Sequence, residues 1–200
     1  AKSIRYLITD HFSGSWGEDE KGTENDKIFE LFFTPLSNTE IWDNITNPYC
    51  KYISQLYFNS NNDYIEFIWN CPSFVTGFDI SERIMVMIDK AFIENKNINN
   101  KIQINLPTYK IDNLNTLVVG KDIGYKGLAN TDNGVHEKDV VLSYRDNETR
   151  HYVSIMSSCN FHSGALGYQT NQILVINETS ETGNAFYKLY GFATSHGVIY

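Results

Sequence analysis

Cys159 and His162 stand three residues apart, just past a β-type run that begins at His151, so one thiol and two imidazoles lie close together along the chain. An imidazole within hydrogen-bond reach takes a thiol proton and stabilises the thiolate, and Asp139, Asp146 or Asn160 would serve to orient that base. Cysteine hydrolases draw their base from a distant part of the chain, however, so a local cluster is a weak catalytic signal. The sequence therefore favours a protein that does not catalyse, with a Cys159–His hydrolase as an alternative. The same trio lacks the CxxC pair, HExxH motif or second cluster that would complete a four-ligand zinc site. The acidic stretch Glu18, Asp19, Glu20, Glu24 and Asp26 lacks the spacing of a calcium loop. No metal and no cofactor are expected. Phosphate-cradling GxxxxGK[ST] and GxGxxG turns are absent, as is the GxSxG elbow.

Aromatic residues in polar loops suggest recognition instead. Trp16 lies in a Gly/Ser loop flanked by His11, Glu18 and Asp19, where a ring stacks on the apolar side of a sugar while carboxylates take its hydroxyls. Tyr57 and Tyr64 would form an exposed aromatic rung on a hairpin. These six residues are the expected ligand contacts.

The elements that would position them are mostly strands. Short β-type runs bounded by turn residues recur at Ile4–Thr9, Lys27–Thr34, Lys101–Leu106, Leu114–Val119, Asp139–Tyr144, His151–Met156, Gln172–Ile176 and Ala185–Phe192. Alternation through Ile102, Gln103, Ile104, Asn105 and Leu106 predicts an antiparallel sheet with one wet face. Many short strands with little room for crossover helices predict an antiparallel two-sheet sandwich or jelly roll, a single domain over 1–200. One segment departs from this pattern. Ile80, Ile84, Met87, Ile88 and Ala91 repeat at helical spacing, and Asp79 with Glu82 has capping-box spacing, so a short amphipathic helix is expected near 80–95.

Residues 50–71 read as one hairpin. Pairing positions that sum to 121 sets Tyr52 against Trp69, Leu56 against Ile65 and Cys50 against Cys71, close enough for a disulfide. A disulfide implies an oxidising compartment. Sequons at Asn44, Asn147 and Asn177 suit the same secreted glycoprotein reading, as does a chain starting at Ala1. The net charge of −8 disfavours nucleic acid, which demands a basic surface, and no apolar run is long enough to insert in a bilayer. The combined expectation is a secreted, lectin-like binding protein that recognises a glycan or protein partner through sandwich-end loops. Its alternative is a self-assembling shell, filament or crystal subunit, cross-linked through Cys159.

Overall fold

The computed structural model describes residues 6–8, 27–58, 66–70, 77, 79–94, 101–105 and 138–179. Its strands are β1 (Tyr6–Ile8), β2 (Lys27–Phe33), β3 (Glu66–Asn70), β4 (Lys101–Asn105), β5 (Val140–Asp146), β6 (Thr149–Ser157) and β7 (Gln172–Glu178). They form one seven-stranded sheet in the order β1-β2-β7-β6-β5-β3-β4. Every neighbouring pair is antiparallel except β3 with β4. The mainly β expectation holds, but one sheet with helices packed against it replaces the expected two-sheet sandwich. Parallel strands need a crossover, and the fifteen-residue helix between β3 and β4 supplies it.

That helix, α4 (Ile80–Glu94), lies where the apolar repeat placed it. Ile80, Ile84, Ile88 and Ala91 are buried in the same core as Phe32, Phe67, Trp69, Val140, Leu142, Ile155 and Val175. The inward residues of β5, β6 and β7 alternate with period two, so one sheet face is apolar throughout. The start of α4 differs from a simple capping box. Asp79 Oδ1 accepts from Ile80 N (2.6 Å), while Glu82 reaches past Asp79 to accept from Gly77 N (2.9 Å).

The expected hairpin at 50–71 does not form. Its first half is helical: α2 (Cys50–Ile53) and α3 (Gln55–Phe58) follow α1 (Asn38–Trp42). Buried Tyr49, Tyr52, Ile53 and Leu56 lie three and four residues apart, a helical spacing that the mirrored strand pattern concealed. Asn47 reinforces it, because its Oδ1 accepts from Tyr49 N (2.9 Å) and Cys50 N (3.0 Å) at the helix start. The second half is the strand β3, but it pairs with β4 and β5. Cys50 is a buried free thiol, so the Cys50–Cys71 disulfide is corrected and lends no support to an oxidising compartment; Cys71 itself lies outside the described residues.

β5 and β6 join through a two-residue turn, with Asp146 opposite Thr149. Asn147 sits there at φ 52°, a left-handed conformation that Asn tolerates and a β-branched residue does not. Asn147→Val is expected to lose about 1–2 kcal/mol, which thermal melting reads as a fall of about 2–4 °C per kcal/mol. Asn147→Gly should melt within about a degree of wild type or above it. Equal melting of the valine variant and wild type would refute the turn geometry.

Candidate active site

Because neighbours run in opposite directions, the start of β5, the end of β6, the start of β7 and the end of β2 meet at one end of the sheet. The residues there are polar: Lys138 and Asp139 before β5, Ser157, Ser158, Cys159 and Asn160 at and beyond the end of β6, Asn171 before β7, and Thr34 after β2. Hydrogen bonds stitch them into a rim. Asn171 N donates to Thr34 Oγ1 (2.7 Å), Gln172 N to Ser158 Oγ (3.1 Å), and Ser158 Oγ to Asn171 Oδ1 (3.3 Å). Cys159 N donates to Ser157 Oγ (2.7 Å).

The helices are tied to this rim from the apolar side. The Tyr49 hydroxyl donates to the Cys159 carbonyl (2.8 Å) and lies 2.8 Å from Ser157 Oγ. Asp79 accepts from Ser163 N (2.6 Å) and Ser163 Oγ (3.0 Å), so the start of α4 holds the start of α5 (Ser163–Tyr168). Ser81 Oγ adds a bond to the Phe161 carbonyl. The loop from Ser157 to Ser163 is thus fixed by α2 before it, and by α4 along its length.

Lys138 is the cation at this rim. It is only 7 % exposed, and it stands two residues before Val140, which pairs with Ile155, itself two residues short of Ser157. Its charge is felt at the neighbouring thiol. Burial pushes Cys159 up to about 12, while the hydrogen bond from Tyr49 and the Lys138 charge oppose that rise. A nearly buried ammonium suits an oxyanion, because burial leaves its charge poorly screened.

The sequence-derived cluster does not come together as a thiol-activating site. Cys159 is buried and neutral at physiological pH, its Sγ donating to the Asn160 carbonyl (3.5 Å). His162 Nδ1 accepts from Ala165 N (3.0 Å), which places the proton of the neutral ring on Nε2 and leaves no nitrogen to receive the thiol's. His151 lies six residues before Ser157 along β6, about 20 Å away at strand rise. It stacks on Tyr144 (centroids 4.8 Å apart) and its Nδ1 lies 3.2 Å from Asn177 Oδ1. Buried Cys159 cannot cross-link neighbouring copies either. Among the described residues, no three His, Cys, Asp or Glu side chains converge as a metal site requires.

Of the expected ligand contacts, His11, Trp16, Glu18, Asp19 and Tyr64 lie outside the described residues, and Tyr57 is packed under the Lys90 ammonium (5.5 Å from its ring centroid). Of the sequons, Asn147 is exposed, Asn177 is buried, and Asn44 Oδ1 accepts from Arg83 Nη2 (2.5 Å). Sequence reasoning passed over Lys138 and its neighbour two positions earlier, His136, which lies outside the described residues. The available signal was His136-Glu137-Lys138 running directly into an apolar strand, since a spacing of two puts side chains of an extended chain on one face.

With its pKa pushed up to about 12 by burial, the Cys159 thiol stays protonated at pH 8. Iodoacetamide is therefore expected to spare Cys159 in the native protein and to modify it after unfolding, read by peptide mass spectrometry. Rapid native labelling would contradict this burial.

The sequence matches no family model and no curated protein sequence. The fold does have likenesses among solved structures. Nuc from Salmonella typhimurium, a phospholipase D family member, aligns with a TM-score of 0.54 and 14 % identity over 88 % of this chain and 99 % of its own. NucT from Helicobacter pylori aligns at 0.51 with 14 % identity, over 86 % and 96 % respectively. The polyphosphate kinase of Porphyromonas gingivalis aligns at 0.50 with 13 % identity, over 84 % of this chain and 26 % of that one. This shared fold overturns the expected non-catalytic, lectin-like binding protein and the self-assembling subunit. It also removes the exclusion of nucleic acid, because a net charge summed over a chain does not describe one site. Among the described residues, no helix is long and apolar enough to cross a membrane.

Proposed function

We propose that this protein hydrolyses phosphodiester bonds, with a nucleic acid strand as its substrate class. The observation that carries the reading is Lys138, a nearly buried cation whose charge reaches Cys159 at the polar end of a sheet whose fold resembles that of a phospholipase D family member. Lys138 binds a non-bridging phosphate oxygen and stabilises the charge that builds there during displacement. His136, two residues earlier, is the nucleophile: one ring nitrogen attacks phosphorus and the P–O bond to the leaving alcohol breaks. The departing oxygen takes a proton from solvent. Water then attacks the phosphorus and the P–N bond breaks; the water's proton returns to solvent, leaving a phosphate monoester and the free imidazole. The amide of Asn160 supplies a further donor to the phosphate, on a loop that Tyr49 and Asp79 hold in place.

The Cys159–His hydrolase is not part of this mechanism. For an extracellular location, the remaining support is the exposed sequon at Asn147.

His136→Ala and Lys138→Met test the proposal, the methionine preserving the volume of the buried stem. Each is expected to lower hydrolysis of bis(p-nitrophenyl) phosphate and of a labelled oligonucleotide by at least about 100-fold. Cys159→Ala should hydrolyse both at close to the wild-type rate. Retained hydrolysis in both the His136 and Lys138 variants sinks the assignment.

A further inference from the structure

Away from the rim, α4 and the α1–α3 segment enclose a pocket of about 220 Å³. Arg83, Val86 and Lys90 come from one side of α4, at the three- and four-residue spacing that aligns side chains on one helix face. Asn44 and Tyr57 face them. The two cations are unusual in a chain of net charge −8, because the described residues lining the pocket include no carboxylate. Arg83 donates to the Trp42 carbonyl and to Asn44 Oδ1 (2.5 Å), both neutral acceptors. Lys90 is set over the Tyr57 ring at 5.5 Å, within cation–π range. Asp43 feels the Arg83 charge, but its oxygens accept from Ile45 N (3.1 Å) and Thr46 Oγ1 (3.0 Å). Arg83 and Lys90 therefore form no ion pair among the described residues.

Apolar surface adjoins this positive charge. Val86 is 48 % exposed, while Ile45 (73 %) and Trp42 (37 %) lie on the segment that Arg83 grips. Two cations that form no ion pair among the described residues, with the exposed Val86 between them along α4, match a ligand that carries both phosphate and a flat apolar ring. The volume limits its size. Sites for whole drug-sized ligands run to roughly 300–1,000 Å³, so this pocket suits one phosphate-bearing unit of something longer.

We propose that the Arg83–Lys90 pocket binds a nucleoside phosphate unit and acts as a secondary subsite for a strand cut at the Lys138 rim. The strand in this statement rests on the function proposed above; the phosphate-and-ring chemistry of the pocket does not. Arg83 and Lys90 take the phosphate oxygens, and Val86 supports the base. A local subsite of this kind explains how an acidic chain holds a polyanion without a broad basic face.

Lys90 is exposed and makes no hydrogen bond, so Lys90→Ala removes the charge while leaving the fold intact. Fluorescence anisotropy of a labelled single-stranded oligonucleotide, with His136→Ala as the common background, is expected to show at least a threefold weaker Kd for Lys90→Ala. The slope of log affinity against log salt should fall by about 0.7, the loss of one phosphate contact on a single strand. Val86→Asp, which places a carboxylate in the pocket, should weaken binding at least tenfold. Hydrolysis of bis(p-nitrophenyl) phosphate by Lys90→Ala in the otherwise wild-type chain should be unchanged, since that small diester needs only the rim. Adenosine monophosphate should shift the backbone amide resonances of Arg83 and Lys90 in wild type and not in Val86→Asp. If both pocket variants bind the oligonucleotide and the mononucleotide as wild type does, the subsite is wrong, whatever the rim does. If the pocket variants weaken the mononucleotide while His136→Ala leaves diester hydrolysis intact, the subsite stands and the proposed reaction falls.

Discussion

The antiparallel register through β5, β6 and β7 is the constraint on which the site depends. With Val140 opposite Ile155, and Ile155 opposite Val175, the chain ends leading into β5 and β7 converge with the end of β6. A slip of one residue would turn Lys138 to the other face of the sheet and replace it inside with Asp139. The slip is prevented by the core, because Val140, Leu142, Val153, Ile155, Ile173 and Val175 would all leave the apolar face together. Packing energy thus holds a polar site in place. Hydrogen bonds from Tyr49, Asp79 and Ser81 add the finer alignment, each worth about 0.5–1.5 kcal/mol net. They join helices widely separated in sequence from the loop they steady.

The two faces of the sheet are built on different terms. One is apolar and covered by α4 with α2. The other buries polar side chains: Arg150 Nη2 donates to Ser143 Oγ (2.6 Å), which lies 3.4 Å from Glu66 Oε2. Buried charges require such partners, and here they come from three adjacent strands: Glu66 stands opposite Ser143, and Arg150 lies diagonally across, two residues from Ser143's partner Tyr152. Ser143 is short enough to sit between a guanidinium and a carboxylate on neighbouring strands. On the helical side Lys51 pairs with Glu30 (2.5 Å). The chain's overall acidity is a poor guide to the potential at any one surface.

Much of the local structure was legible in the sequence. Apolar runs located β2, β4, β5, β6 and β7 to within a few residues, and the Ile80–Ile84–Ile88 repeat located α4. Pairing was not legible, since the partner of β2 lies far along the chain and nothing within Lys27–Phe33 names it. The segment after Cys50 failed for a specific reason: its alternation with 65–71 was a coincidence of composition, while Tyr49, Tyr52, Ile53 and Leu56 carried the helical signal. The candidate site was hidden because its parts come from four strand ends. A search for neighbouring reactive groups found Cys159 and His162, which serve structure, and passed over Lys138, whose partners are brought by topology.

Thr34 and Asn171 touch across 137 residues of chain. Closing so long a span costs entropy that local hairpins such as β5–β6 do not pay, so the β2–β7 contact depends on structure formed elsewhere to bring its ends together. During synthesis, β2 leaves the ribosome with an unpaired edge and must wait until Gln172–Glu178 has been made before β7 arrives to cover it. A strand rich in Phe and Leu is exposed throughout that interval. The order in which the chain is made therefore sets a window of vulnerability to chaperones and to self-association that the finished sheet no longer displays.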